Sequence, residues 1–170
     1  MNKTVLWVGG LFVIPLLVFL AIGFRFDPRT IESPLIGKLA PQFSLVDLDG
    51  RELDLADLAG QPVVINFWAT WCQPCVVEHP ILVEASQRYE GKVHFLGIVY
   101  QDEASAIERF IGARGAWGPS LIDPGSQVAI AYGVYGAPET FILDAEGTVA
   151  HKITGMLSWQ TLTGVLGELL

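Results

Sequence analysis

Cys72 and Cys75 are the only two cysteines of the chain, and they stand together as Cys72-Gln73-Pro74-Cys75. Two thiols at this spacing can close into a disulfide and exchange it with a disulfide elsewhere, provided that one of them ionises readily. An apolar run, Val63 to Trp68, precedes the pair and reads as a buried strand, and a helical pattern follows it. A helix that starts here presents unpaired N–H groups and partial positive charge to its first residue. Cys72 is therefore the expected exposed nucleophile. Cys75, one turn further in, is the expected shielded thiol that resolves a mixed disulfide. Pro74 suits a first helical turn, where its missing N–H costs nothing. Two other readings compete. A purely structural bridge would close a loop too short to remove much chain entropy. A zinc site would need further ligands, and His79, His94 and His151 show no ligand spacing. Neither a metal nor a bound cofactor is expected.

The elements that must position this pair follow from pattern and turn chemistry. Residues 43–46 and 52–55 flank Asp49-Gly50, a hairpin signal, and 56–58 suggests a helical turn. Strands are expected at 62–68, 93–99 and 120–123, and helices at 73–89, 103–114 and 127–132, with Pro80 kinking the first of these helices. Residues 140–144 and 149–153 form a second hairpin around Ala145-Glu146-Gly147. Ser158 can cap a last helix over 159–169. Alternating strands and helices predict an α/β fold with a mixed central sheet and helices on both faces. An N-terminal β-hairpin and a central insert complete it.

The stretch Phe67-Trp68-Ala69-Thr70-Trp71-Cys72-Gln73-Pro74-Cys75 resembles the thioredoxin active site, and Pro80, five residues after Cys75, also matches that fold. Gly133-Val134-Tyr135-Gly136-Ala137-Pro138-Glu139-Thr140 resembles, more narrowly, the membrane-anchored periplasmic thioredoxin-like proteins of cytochrome c maturation, the CcmG or DsbE type. The likeness runs from about Leu35 to the C-terminus. It implies a thioredoxin-like fold, a cis peptide bond before Pro138, and a substrate groove lined by Trp71, Tyr135, Ala137 and Pro138. Glu78 and Glu139 match acidic positions of that family, which implies a part in tuning the thiols and moving protons. Glu78 lies three residues past Cys75, on the same helix face. A nearby carboxylate disfavours a thiolate and can take its proton. The plainer reading is a solvated helix residue. Asn66 stands where ordinary thioredoxins carry a buried aspartate. An amide cannot carry a proton, so Glu78 is the candidate for that task. Trp68 is expected in the core, since strand residues alternate faces. Trp117 and Trp159 read as packing residues, and His79 as a hydrogen-bonded surface histidine.

The remaining features bound the setting. The chain has 170 residues, enough for one domain and an appendage. Val5 to Gly23 carries no charge and is long enough to cross a bilayer as a helix. Ala21-Ile22-Gly23 resembles a signal cleavage site, but the apolar run exceeds a usual signal core, so a retained anchor is expected. The organisation expected is an anchor over 1–25, a linker over 26–39 and a domain over 40–170. Basic residues on both sides of the run leave its orientation open. Beyond the run stand nine basic and eighteen acidic residues. That balance excludes nucleic acid as a partner, because phosphates demand a basic patch. It suits a basic partner or a solvated surface.

From the resemblance, the expected function is a thiol–disulfide oxidoreductase tethered to the bacterial inner membrane and facing the periplasm. It would keep the haem-binding cysteines of apocytochrome c reduced, directly or through a maturation partner, and be recharged by a membrane thiol-reductant donor of the DsbD or CcdA type. Other extracytoplasmic reductants, or an oxidant, share the chemistry, because direction depends on the relative stability of the two redox forms. A non-redox module that docks apocytochrome is the alternative from another class.

Overall fold

The computed structural model describes residues 33–170, together with five earlier positions (13, 15, 17, 19 and 20). The expected anchor over 1–25 otherwise lies outside the described residues. Among the described residues no helix is long and apolar enough to cross a membrane.

Seven strands form one mixed sheet in the order β2-β1-β5-β4-β3-β6-β7. At its centre lies β3 (Val63–Trp68), buried at all six positions. It runs parallel to β4 (His94–Val99) and antiparallel to β6 (Glu139–Leu143). A strand covered on both faces reads as a continuous apolar run, as this one does. On one side β5 (Ser120–Ile122) pairs with β4, and the hairpin β1 (Ser44–Asp47) and β2 (Glu52–Asp54) pairs with β5. On the other side β7 (Val149–Thr154) pairs with β6. The Asp49-Gly50 signal is a real turn. Asp47 Oδ1 accepts from the amides of Asp49 and Arg51, and Gly50 takes φ +79°, which favours glycine.

The sheet divides the core in two. Ile65, Phe67, Ile98 and Phe141 point to one side and pack with Phe43, Leu55, Val128 and Tyr132. Val64, Trp68, Phe95 and Ile142 point to the other side, as the period of two requires. There they meet α1 (Gln73–Arg88) through Leu82 and Ala85, α2 (Ala104–Arg114) through Ile107, and α4 (Trp159–Leu169) through Leu162 and Leu166. Helices do cover both faces, but unevenly. Among the described residues, the first face has only the short α-helix α3 (Gln127–Ala131), supplemented by residues from the N-terminal part of the domain.

This arrangement bears on three expectations. Of the linker expected over 26–39, the C-terminal residues lie against the sheet edge of the domain. Gly37 N donates to Val149 O and Val149 N donates to Lys38 O, both at 2.9 Å, and Leu39 bridges Thr148. The chain there is tied to the sheet edge by backbone bonds that a pattern of Pro and Gly cannot reveal. Pro80 lies inside a single continuous helix. The sixth strand begins at Glu139, one residue earlier than its apolar pattern suggests, because a charged residue heads it. Ser158 caps the last helix as expected, its Oγ accepting from Thr161 N at 3.1 Å.

Candidate active site

Parallel β3 and β4 deliver two loops to the same end of the sheet, and these loops build the site. The chain leaves β3 at Trp68 and reaches Cys72, the N-cap of α1, with extended backbone at φ −83°. Cys72 and Cys75 are joined in a disulfide, and Cys75 N donates to Cys72 Sγ at 3.2 Å. A sulfur stands where a capping oxygen would, so charge on Cys72 would meet the free N–H groups of the first turn. The accessibility difference expected between the two cysteines is absent in this oxidised form. Cys72 is 4% exposed and Cys75 3%, since the closed ring packs both against the Trp68 side of the core.

The loop after β4 braces the loop before the cysteines. Asp102 Oδ2 accepts from Thr70 N and from Thr70 Oγ, each at 2.6 Å. The indole N–H of Trp71 donates to Gln101 O at 3.1 Å, which steadies a ring that stays largely exposed beside Cys72. Asp102 was not singled out in the sequence. Its signal was available, because a polar residue just past the carboxyl end of a strand parallel to β3 must come near the cysteine loop.

Behind the disulfide lies a closed polar cluster. Glu78 is 0% exposed, so the solvated-helix reading of this residue does not hold. Its Oε1 accepts from Asn66 Nδ2 at 2.9 Å, and its Oε2 accepts from Leu157 N at 2.6 Å. Asn66 Nδ2 also donates to Thr140 Oγ at 3.0 Å. Burial pushes the Glu78 carboxyl up to about 7, against the opposing pull of the bonds from Leu157 and Asn66. A carboxyl balanced there can hold or release a proton near neutral pH. Thr140 and Leu157 were missed by the sequence reading. Leu157 acts through its backbone, which no side-chain pattern could have flagged.

The other expected site residues divide. The Ala137–Pro138 bond is cis. The β3–β6 register pairs Phe67 with Glu139, so Pro138 lies level with Trp68, at the end of β3 that enters the cysteine loop. Ala137 packs against the cluster that holds both cysteines, and Tyr135 is exposed. Pro138 O accepts from Gly155 N at 2.9 Å. Residues 155–157 thus run between the Pro138 carbonyl and the Glu78 carboxyl.

Glu139 is not brought to the cysteines. Paired with Phe67, it projects to the opposite face of the sheet from Asn66 and Glu78. There it is 1% exposed, accepts from Tyr135 N at 3.1 Å, and forms an ion pair with Lys152 Nζ at 2.7 Å. Lys152 also lies over the rings of Tyr135 and Phe141. This geometry ties Glu139 to the shape of the 133–139 loop and offers it no contact through which to tune a thiol. Lys152→Met leaves that carboxylate buried and unpaired. We expect a loss of about 3 kcal/mol in urea unfolding, largely recovered in Lys152→Met/Glu139→Gln. A recovery absent from the double variant would show that the loss comes from the lysine's own contacts and not from a stranded carboxylate.

His79 is the other departure. Expected on the surface, it is 2% exposed and packs on Trp117 and Phe110 at 5.0 and 4.9 Å between ring centroids. Its Nε2 meets Arg114 O at 3.3 Å, and burial lowers its pKa, so the ring is a neutral core element. Trp68 and Trp117 share this cluster, 4.8 Å apart. Gly97 makes room for it, since a Cβ there would lie 2.7 Å from Trp68 Nε1.

The chain matches the Redoxin family over residues 35–166. It is 42% identical to the thiol:disulfide interchange protein DsbE of Allochromatium vinosum, over 87% of this chain and 86% of that protein. It is 34% identical to the thiol-disulfide oxidoreductase ResA of Bacillus thuringiensis, over 86% of this chain and 84% of that one. Among solved structures it resembles a secreted Mycobacterium tuberculosis disulfide oxidoreductase homologous to E. coli DsbE. That likeness has a TM-score of 0.69 and 28% identity, over 75% of this chain and 96% of that one.

Proposed function

This chain belongs to the redoxin family and is a thiol:disulfide oxidoreductase of the DsbE and ResA kind, and we propose that it works as a reductant in cytochrome c biogenesis. The observation that carries the chemistry is the buried Glu78 carboxyl, placed one helical turn behind Cys75 and poised near neutral pH. In the dithiol form, the Cys72 thiolate attacks one sulfur of a substrate disulfide. An S–S bond forms to Cys72 as the substrate's own S–S bond breaks, and the released substrate thiolate takes a proton. Cys75 passes its proton to Glu78 and attacks Cys72 Sγ. The second substrate thiolate leaves and is protonated in turn. One disulfide is reduced and one is formed, which is the state described here.

Kinship with DsbE and the Gly133–Thr140 stretch support apocytochrome c, or a maturation partner, as the substrate. Trp71, Tyr135, Ala137 and Pro138 are the residues proposed to line its groove. We place the domain in the periplasm, tethered to the inner membrane by residues 1–25, with reducing equivalents supplied by a membrane thiol-reductant donor of the DsbD or CcdA type. A mature N-terminus at Phe24, found by mass spectrometry, would overturn the tether.

The deciding measurement compares rates toward a disulfide-closed Cys-x-x-Cys-His peptide and toward insulin, alongside the redox state in growing cells. The peptide is expected to react faster, and the cellular protein to be mostly dithiol. A protein found mostly as disulfide that oxidises unfolded substrates would be an oxidant instead. Equal rates on peptide and insulin would remove the narrow specificity.

A further inference from the structure

Within the cluster behind the disulfide, Asn66 is only half satisfied. Its side chain is fully buried, its Nδ2 serves both Glu78 and Thr140, and its Oδ1 has no partner among the described residues. Buried amide oxygens are normally paired, so an orphan in the middle of an otherwise closed network calls for a reason. The mechanism above requires Glu78 to hold a proton for part of each cycle. Yet both of its oxygens now accept hydrogen bonds, one from Asn66 and one from Leu157. Leu157 donates from the backbone and cannot change role. Among the described residues, the only hydrogen-bond partner of Glu78 able to exchange a donor for an acceptor is Asn66, by turning its amide through half a revolution.

We propose that Asn66 is a positioning residue that rotates with the proton on Glu78, presenting Nδ2 to the carboxylate and Oδ1 to the carboxylic acid. The inference rests on the reading of Glu78 as the proton acceptor for Cys75. When Glu78 is ionised, the observed orientation holds. Asn66 Nδ2 donates to Glu78 Oε1 and to Thr140 Oγ. When Glu78 takes the Cys75 proton on Oε1, that oxygen becomes a donor and faces another donor. Rotation places Oδ1 there to accept it. Thr140 then reverses role, since a hydroxyl can accept from an amide N–H or donate to an amide oxygen. The end of the amide remote from Glu78 lacks a partner in either orientation. That orphan therefore favours neither, and the proton decides. The amide carries no proton itself, but it supplies a matched partner for both states of a group that does.

The surroundings leave few other groups able to drive such a change. On α1, His79 turns into the aromatic cluster, Glu84 is exposed, and Arg88 lies over Trp159. On β6, Glu139 is paired with Lys152 on the far side of the sheet. On β7, His151 faces Glu168, an exposed residue of α4. Strand β3 and residues 155–158 carry no ionisable side chain. On β4, His94 pairs with Val63 at the end of the strands remote from the cysteine loop, and on α2 Glu108, Arg109 and Arg114 are exposed. Among the described residues of these elements only the cysteines remain, and they are the proton's source.

The chain holds only two asparagines, Asn2 and Asn66, so selective 15N-asparagine labelling of the full-length protein in detergent yields two side-chain amide pairs. The test follows the nuclear Overhauser effect (NOE) between the Asn66 amide protons and the Thr140 side chain. A 13C label on the glutamate carboxyls follows Glu78 in parallel. In the native protein the NOE is expected at high pH and lost as pH falls through about 7, together with the titration of Glu78. In Glu78→Gln, Leu157 N should hold the new side-chain oxygen and turn its NH2 toward Asn66. The amide should then stay rotated, with the NOE absent at every pH. An NOE that persists to low pH while Glu78 titrates, or that persists in Glu78→Gln, overturns the rotation and leaves the oxidoreductase reading intact. A Glu78 that does not titrate between pH 5 and 9 overturns both this inference and the proton-acceptor role on which it rests.

Discussion

Cys72→Ser protein should lose disulfide-reducing turnover altogether, by a factor on the order of 10³ or more, the scale on which removal of a covalent nucleophile is felt. Cys75→Ser should behave differently. Its Cys72 remains at the start of α1, where the first-turn amides favour a thiolate, so the first exchange proceeds and stops there. The expected product is a mixed disulfide between Cys72 and the substrate, visible by mass spectrometry without reductant. Turnover on the peptide disulfide and the trapped species together test the assignment. If Cys75→Ser traps nothing while Cys72→Ser does, the roles are reversed; if Cys72→Ser still reduces the peptide, the dithiol mechanism itself fails. If Cys72→Ser protein still supports cytochrome assembly, the docking reading replaces the redox one. Limited alkylation of the dithiol form gives the same assignment independently, with label expected on Cys72 first. Because both cysteines are buried in the disulfide, that preference has to arise from ionisation and from opening of the ring.

Glu78→Gln carries the second large effect, and it has two parts with opposite signs. The variant keeps the shape of the side chain and an oxygen for Leu157, but it cannot take a proton. Resolution of the mixed disulfide by Cys75 should slow by about 10²-fold at neutral pH, the lower end of what a positioned acid–base group contributes. In the native protein this step should speed up as pH rises through about 7, where Glu78 ionises, and the variant should lose that inflection. Stability should move the other way. The folded carboxyl ionises near 7 and the unfolded one near 4.5, so between these values the folded state holds more protons. Stability of the oxidised native protein therefore falls as pH rises across that window, by roughly 3 kcal/mol at 1.4 kcal/mol per unit. Glu78→Gln removes the penalty and should be the more stable protein above pH 7, with a flat profile between 4.5 and 7. Urea unfolding at pH 5 and pH 8 checks this directly. A variant that is less stable at pH 8 would mean that the carboxylate is held by its two donors more strongly than burial opposes it. Unchanged exchange rates would remove Glu78 from the mechanism.

The local chemistry was legible in the sequence because it is local. A buried apolar run, a C-x-x-C pair and a proline in the first turn are neighbours along the chain, and the junction of strand and helix follows from their order. The hairpins and the Ser158 cap were legible for the same reason. Each depends on two to five consecutive residues whose turn or capping chemistry has few alternatives. The mixed α/β sheet followed from how those elements alternate.

Tertiary structure decided which polar groups meet and which are shut away from water. Glu78 gains its partners from residues 12 and 79 positions distant, and Asn66 reaches Thr140 across 74. Its raised pKa is a consequence of that enclosure, which helix periodicity alone left open. Glu139 shows the same dependence in reverse. Whether it shares the cysteines' face rests on the register of β6 against β3, and a shift of one residue would turn it over. The observed register sends it to Lys152. His79 passed for a surface residue because a helix with mixed neighbours gives no sign that α2 will close over it. A chain can specify its reactive atoms through adjacency, but a proton's energy depends on everything packed around it, and that is assembled only when distant segments meet.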